Sequence, residues 1–202
     1  MPQRRRRTDE PTVSRAAIER HNGAMTVRLA FLRAINLGAK RVFPKTDIQR
    51  VVAALGFEDV ATHINTGNVR FETRMRSRAR IETLLEQAFL ADRGFDVPAI
   101  TFTAAEFADL AAEAAQIGAE NPGLARHYVY LLKEPLGAEQ RSAVEATRSE
   151  HGQMLVRDRA AHALLTPGYQ NGRVDPLSAA RLLGTATNRN VNVIQTVAAK
   201  WC

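Results

Sequence analysis

Between Met25 and Phe102 the apolar spacing alternates between the strand and the helix period in a fixed order, and that order limits the fold more than any other feature. Val27, Leu29 and Phe31 alternate with Arg28 and Ala30, as in a strand. Gly38 and Lys40-Arg41 mark a loop, and Pro44 suits the first turn of a helix, where its missing N–H is harmless. Ile48, Val51, Val52 and Leu55 then follow at helical spacing up to Gly56. A second strand is predicted near Val60–Asn65, a turn at Thr66-Gly67-Asn68, and a third strand through Val69 and Phe71. Ile81, Leu84, Leu85, Ala88 and Phe89 give a helix that ends at Gly94, and Val97–Phe102 is the fourth strand. The resulting β-α-β-β-α-β order is the ferredoxin-like signature, in which two helices cover one face of an antiparallel sheet. Residues 25–103 form this first lobe.

Thr103 and Glu106 make a capping-box pattern for a connecting helix reaching about Ala115, and 118–123 is turn-rich, so residues 104–125 join two lobes. In the second lobe, residues 126–202, a strand is expected at Tyr128–Leu132 and a helix at Ala138–Arg148. Two strands at Met154–Val156 and Ala161–Leu165 flank Arg157-Asp158-Arg159, and a helix is expected at Leu177–Leu183. The final helix is expected over Val191–Trp201. The lobe repeats the plan of the first without a visible sequence repeat. The fold class is α+β, with two ferredoxin-like lobes of helix-covered antiparallel sheet.

Several function classes are excluded early. Cys202 is the one cysteine, so neither a disulfide framework nor a multi-cysteine zinc site can form, which fits a reducing, cytoplasmic location. The five histidines are scattered, with no pair at helix-ligand spacing, so no metal is expected. No apolar run is long enough for a membrane helix, and no membrane partner is expected. There is no Walker loop, nucleophile elbow or Rossmann glycine fingerprint, and no cofactor is expected.

The net charge of +7 raises nucleic-acid binding. Residues 1–24 hold six arginines against Asp9, Glu10 and Glu19, a net of +3, which leaves +4 for the rest. Arg4–Arg7 is not followed by the apolar segment of a signal peptide. The stretch reads as a disordered basic tail, or as an upstream extension of the frame, since Met25 stands directly before the first strand. Lysine occurs only at Lys40, Lys45, Lys133 and Lys200; with the many alanines, this arginine bias points to genomic composition more than to polyanion binding.

Three stretches are polar where a scaffold does not require it: 33–40 after the first strand, 65–68 at the hairpin, and 187–192 before the last helix. Arg33, Lys40 and Arg189 can supply positive charge, and the amides of Asn36, Asn68 and Asn190 can donate and accept. Helix starts near Pro44 and Asn190 offer unpaired N–H groups, which favour anions. The competing interpretation is local: turn duty for Gly67, tolerance of left-handed backbone for Asn68, helix capping for Asn190, and salt-bridge scaffolding between the lobes for the charges. Thr66 with His63 fails as a nucleophile and base, because strand positions three apart face opposite sides.

These stretches resemble the "domain of unknown function 1697" family. Its members show Leu-Arg-Gly-Ile-Asn-Val-Gly-Gly-Lys, then a Ser-Gly-Asn hairpin, then Thr-x-Arg-Asn-Trp-Asn-Thr. The first is matched from Leu32 to Lys40 with Ala34 and Ala39 in place of glycine, the second by Thr66-Gly67-Asn68 with threonine in place of serine, and the third from Thr187 to Val193 with Val191 in place of tryptophan and Val193 in place of threonine. The resemblance spans about residues 26–200 and implies two ferredoxin-like halves, without a settled activity. Where family members commonly carry Ser-Lys before the last helix of the second lobe, this chain has Asp175-Pro176, so no phosphate contact is carried over through that pair.

Three functional expectations follow. The leading one is a small phosphate- or carboxylate-bearing ligand held between the lobes by Arg33, Asn36, Lys40, Thr66, Gly67, Asn68, Arg189 and Asn190. The second is nucleic-acid binding by an arginine surface that includes Arg70, Arg74, Arg76, Arg78 and Arg80. The third strand lacks the aromatic platform of RNA-binding sheets. The third expectation is a protein–protein module, a homodimer formed through a sheet edge or the last helix.

Overall fold

The computed structural model describes residues 24–38, 40–169 and 175–202; the basic tail lies outside the described residues. The first lobe runs β1 (Thr26–Leu32), α1 (Lys45–Ala54), β2 (Glu58–His63), β3 (Asn68–Thr73), α2 (Arg78–Arg93), β4 (Ala99–Thr103). Its antiparallel sheet has the order β2-β3-β1-β4. α1 buries Ile48, Val51 and Val52, as its spacing predicts. α2 starts where the Ser77 hydroxyl accepts from the Arg80 N–H and stops at Gly94, whose φ of 72° suits glycine.

α3 (Ala104–Glu120) leaves β4 without a break, held by the Thr103/Glu106 capping box, and is longer than its predicted span to about Ala115. The second lobe follows as β5 (Arg126–Leu132), α4 (Ala138–Glu145), β6 (Gly152–Arg157), β7 (Ala160–Leu165), β8 (Ala186–Asn190) and α5 (Val191–Trp201), with sheet order β6-β7-β5-β8.

Two expectations for this lobe are corrected. Residues 177–183 do not form an α-helix: only Ala180–Leu182 make a short 3-10 turn. Ser178 takes a left-handed φ of 56°, and the Asp175 carboxylate accepts from the Ala179 and Ala180 N–H groups at 3.0 Å each, a local cap that competes with helix. The polar stretch before the last helix is in part a strand, β8, paired antiparallel to β5. Its inward positions carry Thr187 and Arg189, so no apolar alternation announces it.

The lobes are related by approximate twofold repetition. Leu32 and Arg33 N–H groups end on Gly67 and Pro98 carbonyls, just as those of Leu132 and Lys133 end on Arg159 and Thr185. α3 springs from β4 through a capping threonine, and α5 from β8 through a capping asparagine.

Three apolar layers result. α1 and α2 pack Ile48, Ile81, Leu85 and Phe89 on one face of the first sheet. The opposite face, with Leu29, Phe31, Ile100 and Phe102, shares a central core with α3, α5 and the second sheet's Val129 and Leu131. The outer face of the second sheet packs Leu132, Val156 and Leu165 with Val144 and Leu183. Helices therefore cover both faces of the first sheet, not one, which explains the continuous burial of β1 from Arg28 to Leu32.

The edge of β4 is closed: the N–H groups of Ala99, Thr101 and Thr103 donate to the carboxylates of Glu86, Glu82 and Glu106 at 2.9, 2.8 and 2.6 Å. Carboxylates in those places remove the open ladder that another strand would extend.

Candidate functional site

The three polar stretches meet. The end of β1 and its following loop (Arg33, Asn36), the hairpin (Asn65, Thr66) and β8 with the start of α5 (Thr187–Asn190) wall one inter-lobe cleft of about 590 Å³. Among the described residues no carboxylate lines it.

Arg189 is the link between its walls, and it is not available to a ligand. The residue is 7% exposed and every guanidinium N–H is engaged. Nε donates to Asn68 Oδ1 at 2.7 Å; Nη1 donates to Thr187 Oγ1 at 2.9 Å and the Asn188 carbonyl at 2.7 Å. Nη2 donates to the carbonyls of Leu32 at 3.2 Å and Thr66 at 2.6 Å. Burial pushes its pKa down, to about 10, which leaves it a cation at neutral pH. The charge is compensated by oxygen dipoles of both lobes, three from the first and two from β8 itself, and no carboxylate bonds it among the described residues. It joins the lobes, as the scaffolding role expects, but through amide, hydroxyl and carbonyl oxygens in place of a salt bridge.

Asn68 completes that network: its Nδ2 donates to the His63 carbonyl and Thr66 Oγ1, both at 3.0 Å. It sits buried in β3 and is not left-handed, so tolerance of positive φ is not its role. Gly67 does occupy the left-handed region, at φ 76°, and a Cβ there would lie 2.7 Å from Leu32 Cβ and 2.8 Å from Ile35 Cδ1. Gly67→Ala is therefore expected to cost about 2–4 kcal/mol through combined backbone strain and overpacking. Equilibrium urea unfolding checks it; a loss below about 0.5 kcal/mol would contradict the close approach drawn here.

Asn36, at φ 55°, ties the first stretch to the second. Its Nδ2 donates to the Asn65 carbonyl at 2.7 Å and the Phe43 carbonyl at 3.2 Å, while its Oδ1 accepts from the Phe43 N–H at 2.8 Å. Arg41 closes the same loop, donating from Nε to the Ala34 carbonyl at 2.6 Å and stacking over the Phe95 ring. Asn190 caps α5, its Oδ1 accepting from the Asn192 N–H at 2.9 Å, and also faces the cleft.

Arg33 is different. It lines the cleft, is exposed, and its guanidinium has no hydrogen bond or ion pair to any described residue. Lys40 is exposed and stands outside the cleft lining. His63 turns its ring edge-on to Trp201, with centroids 6.3 Å apart, and does not pair with the Thr66 hydroxyl.

Backbone strain concentrates here. Ala34 (φ 57°), Asn36 and Ile64 (φ 50°) all line the cleft in left-handed conformation. A β-branched residue at positive φ is a steric outlier, and such strain gathers at ligand clamps and active sites. Ala34 stands where the resembling motif has glycine. Ala34→Gly should raise stability by about 0.5–1 kcal/mol, read as an upward shift in the thermal midpoint. An unchanged or lower midpoint would contradict the strain assigned to it.

Sequence reasoning missed the apolar lining, Leu37, Ile64, Tyr130 and Val193. Loop positions such as Leu37 carry no periodic signal. Tyr130 is buried, which pushes its hydroxyl pKa up to about 12, and it bonds Asn188.

Two of the five arginines of the cluster are paired with acids, Arg70 with Asp59 and Glu72, and Arg78 with Glu134. The apolar face of α5, with Ile194 and Val197, is turned into the central core. Among the described residues no cluster of three or more His, Cys, Asp or Glu side chains could hold a metal ion, and no helix is long and apolar enough to cross a membrane.

No curated protein matches the chain. Among solved structures, it is similar to the conserved bacterial protein SP0830 from Streptococcus pneumoniae, with a TM-score of 0.69 and 21% identity over 89% of this chain and 100% of that one. At that identity the likeness establishes the two-lobed fold alone. The profile of the family described as "Protein of unknown function (DUF1697)" matches residues 25–162, most of the sequence, and the chain belongs to that family.

Proposed function

We propose that the protein binds a small anionic ligand in the cleft between its lobes, with Arg33 as the contacting cation. The observation that carries this reading is the convergence of three stretches, distant in sequence, on one cavity that lacks a carboxylate among its described lining residues. A concave site of about 590 Å³ lies within the range of small-molecule pockets. Arg33 retains its donors, and Asn65 and Thr66 line the same cleft. Arg189 acts indirectly, holding β8 and the hairpin at a fixed separation. Lys40, outside the lining, contributes at most long-range field, which salt screens.

Isothermal titration with inorganic phosphate, phenyl phosphate, adenosine monophosphate and benzoate tests the reading. At least one probe should bind wild type and lose about tenfold or more in affinity in Arg33→Gln, the worth of one charge-assisted hydrogen bond. Equal binding by the two proteins, or no binding by any probe, would contradict it.

A further inference from the structure

Four large apolar side chains stand exposed among the described residues: Leu37, Val42, Ile64 and Leu90. Two of them, Leu37 at 67% and Ile64 at 44% exposure, line the inter-lobe cleft together with Val193. A scaffold has no use for this arrangement. The loop that carries Leu37 is fixed by Asn36 and Arg41, and Ile64 is held at a backbone angle that β-branched residues avoid. Two exposed hydrophobes on separate strained segments, facing one concave space, have the character of walls that an apolar body covers.

The charge available at the same site is small. Arg189 has all its N–H groups engaged by the protein, so Arg33 is the one cation of the described lining with donors to offer. A guanidinium matches the two oxygens of a carboxylate in a single fork. A nucleotide or sugar phosphate would bring more charge than Arg33 can meet and would desolvate hydroxyls against Leu37 and Ile64.

We infer that the ligand is an amphiphile: one carboxylate-like anionic group at Arg33, on an apolar body of medium acyl-chain or bicyclic-aromatic size that packs on Leu37, Ile64 and Val193. This rests on the anion-binding reading above and narrows it.

Anilinonaphthalene sulfonate, a single anion on an aromatic body, is a fluorescent probe of that class, and octanoate is its non-fluorescent competitor. Titration of the full chain should show saturable one-to-one binding of the dye that octanoate displaces and that inorganic phosphate and adenosine monophosphate do not. Arg33→Gln should weaken both ligands about tenfold or more, and Leu37→Ser about fivefold to tenfold. Leu90→Ser, which alters an exposed hydrophobe outside the cleft, should change neither. Leu37 and Arg33 are exposed, so thermal midpoints of these variants should match wild type and exclude misfolding as the cause.

If octanoate does not displace the dye, or Leu37→Ser leaves both affinities unchanged, the amphiphile is overturned. If phosphate or adenosine monophosphate then binds in an Arg33-dependent way, the anion-binding reading survives without it. If no probe depends on Arg33, both fall.

Discussion

Arg189→Ala is expected to destabilise the protein by about 3–5 kcal/mol and to lower the thermal midpoint on the order of 10 °C. The substitution strips donors from Asn68 Oδ1 and from the Leu32 and Thr66 carbonyls, all inside the joint between the lobes. Each unsatisfied buried acceptor costs about 1–3 kcal/mol, offset in part because the buried charge is removed with them. The void left by the guanidinium adds a cavity term. Arg189→Lys should recover only part of the loss, because an ammonium cannot reproduce five donors in a planar fork. Arg33→Gln, by contrast, should stay within about 0.5 kcal/mol of wild type, as expected of an exposed side chain without partners among the described residues. Urea unfolding of the three variants separates these outcomes. An Arg189→Ala protein as stable as wild type would remove the inter-lobe clamp.

Acid should unfold the protein early and steeply. His127 and His162 are buried side by side across β5 and β7, with Nε2 of the first 2.9 Å from Nδ1 of the second. His127 Nδ1 and His162 Nε2 have no hydrogen-bond partner among the described residues. Burial pushes the His127 pKa down to about 4; His162 falls to about 3, by burial first and then by the neighbouring His127 and Arg157. Both are therefore neutral in the folded state, whereas the unfolded chain takes up their protons near pH 6.5. The unfolded state binds more protons between those values, so stability is complete above about pH 6.5 and is lost as the pH falls toward 4. Each imidazole contributes a slope of roughly 1.4 kcal/mol per pH unit in that window. Unfolding free energies measured between about pH 7 and 4.5 should show this slope, and His127→Phe with His162→Leu should flatten it. A flat wild-type profile would contradict the buried neutral pair.

The first lobe was legible because its periods are uninterrupted: Ile48, Val51 and Val52 on α1, Ile81, Leu85 and Phe89 on α2, and the alternation along β1. The second sheet face of that lobe was not, because its cover comes from α3 and α5, far along the chain. β8 was hidden by its own function. Its inward side chains, Thr187 and Arg189, are polar because they bond the first lobe, and a pattern built on hydrophobicity passes over such a strand. Residues 177–183 have the apolar content of a helix, yet Leu177, Ala179 and Leu183 are buried from a turn that Asp175 caps.

In the cleft, sequence spacing found the stretches but not the division of labour within them. Arg33 and Arg189 are alike as letters, and only packing distinguishes a guanidinium with all donors engaged from one with none. Asn36 and Asn68 are likewise turned to backbone and network contacts that no local pattern encodes.

The convergence of the three stretches on one binding cleft is tested most directly by amide NMR during an octanoate titration. Residues 33–37, 64–66 and 187–190 should shift together with a single dissociation constant, and those shifts should vanish in Arg33→Gln. Shifts confined to one stretch, scattered over the surface, or unchanged by Arg33→Gln would contradict the account.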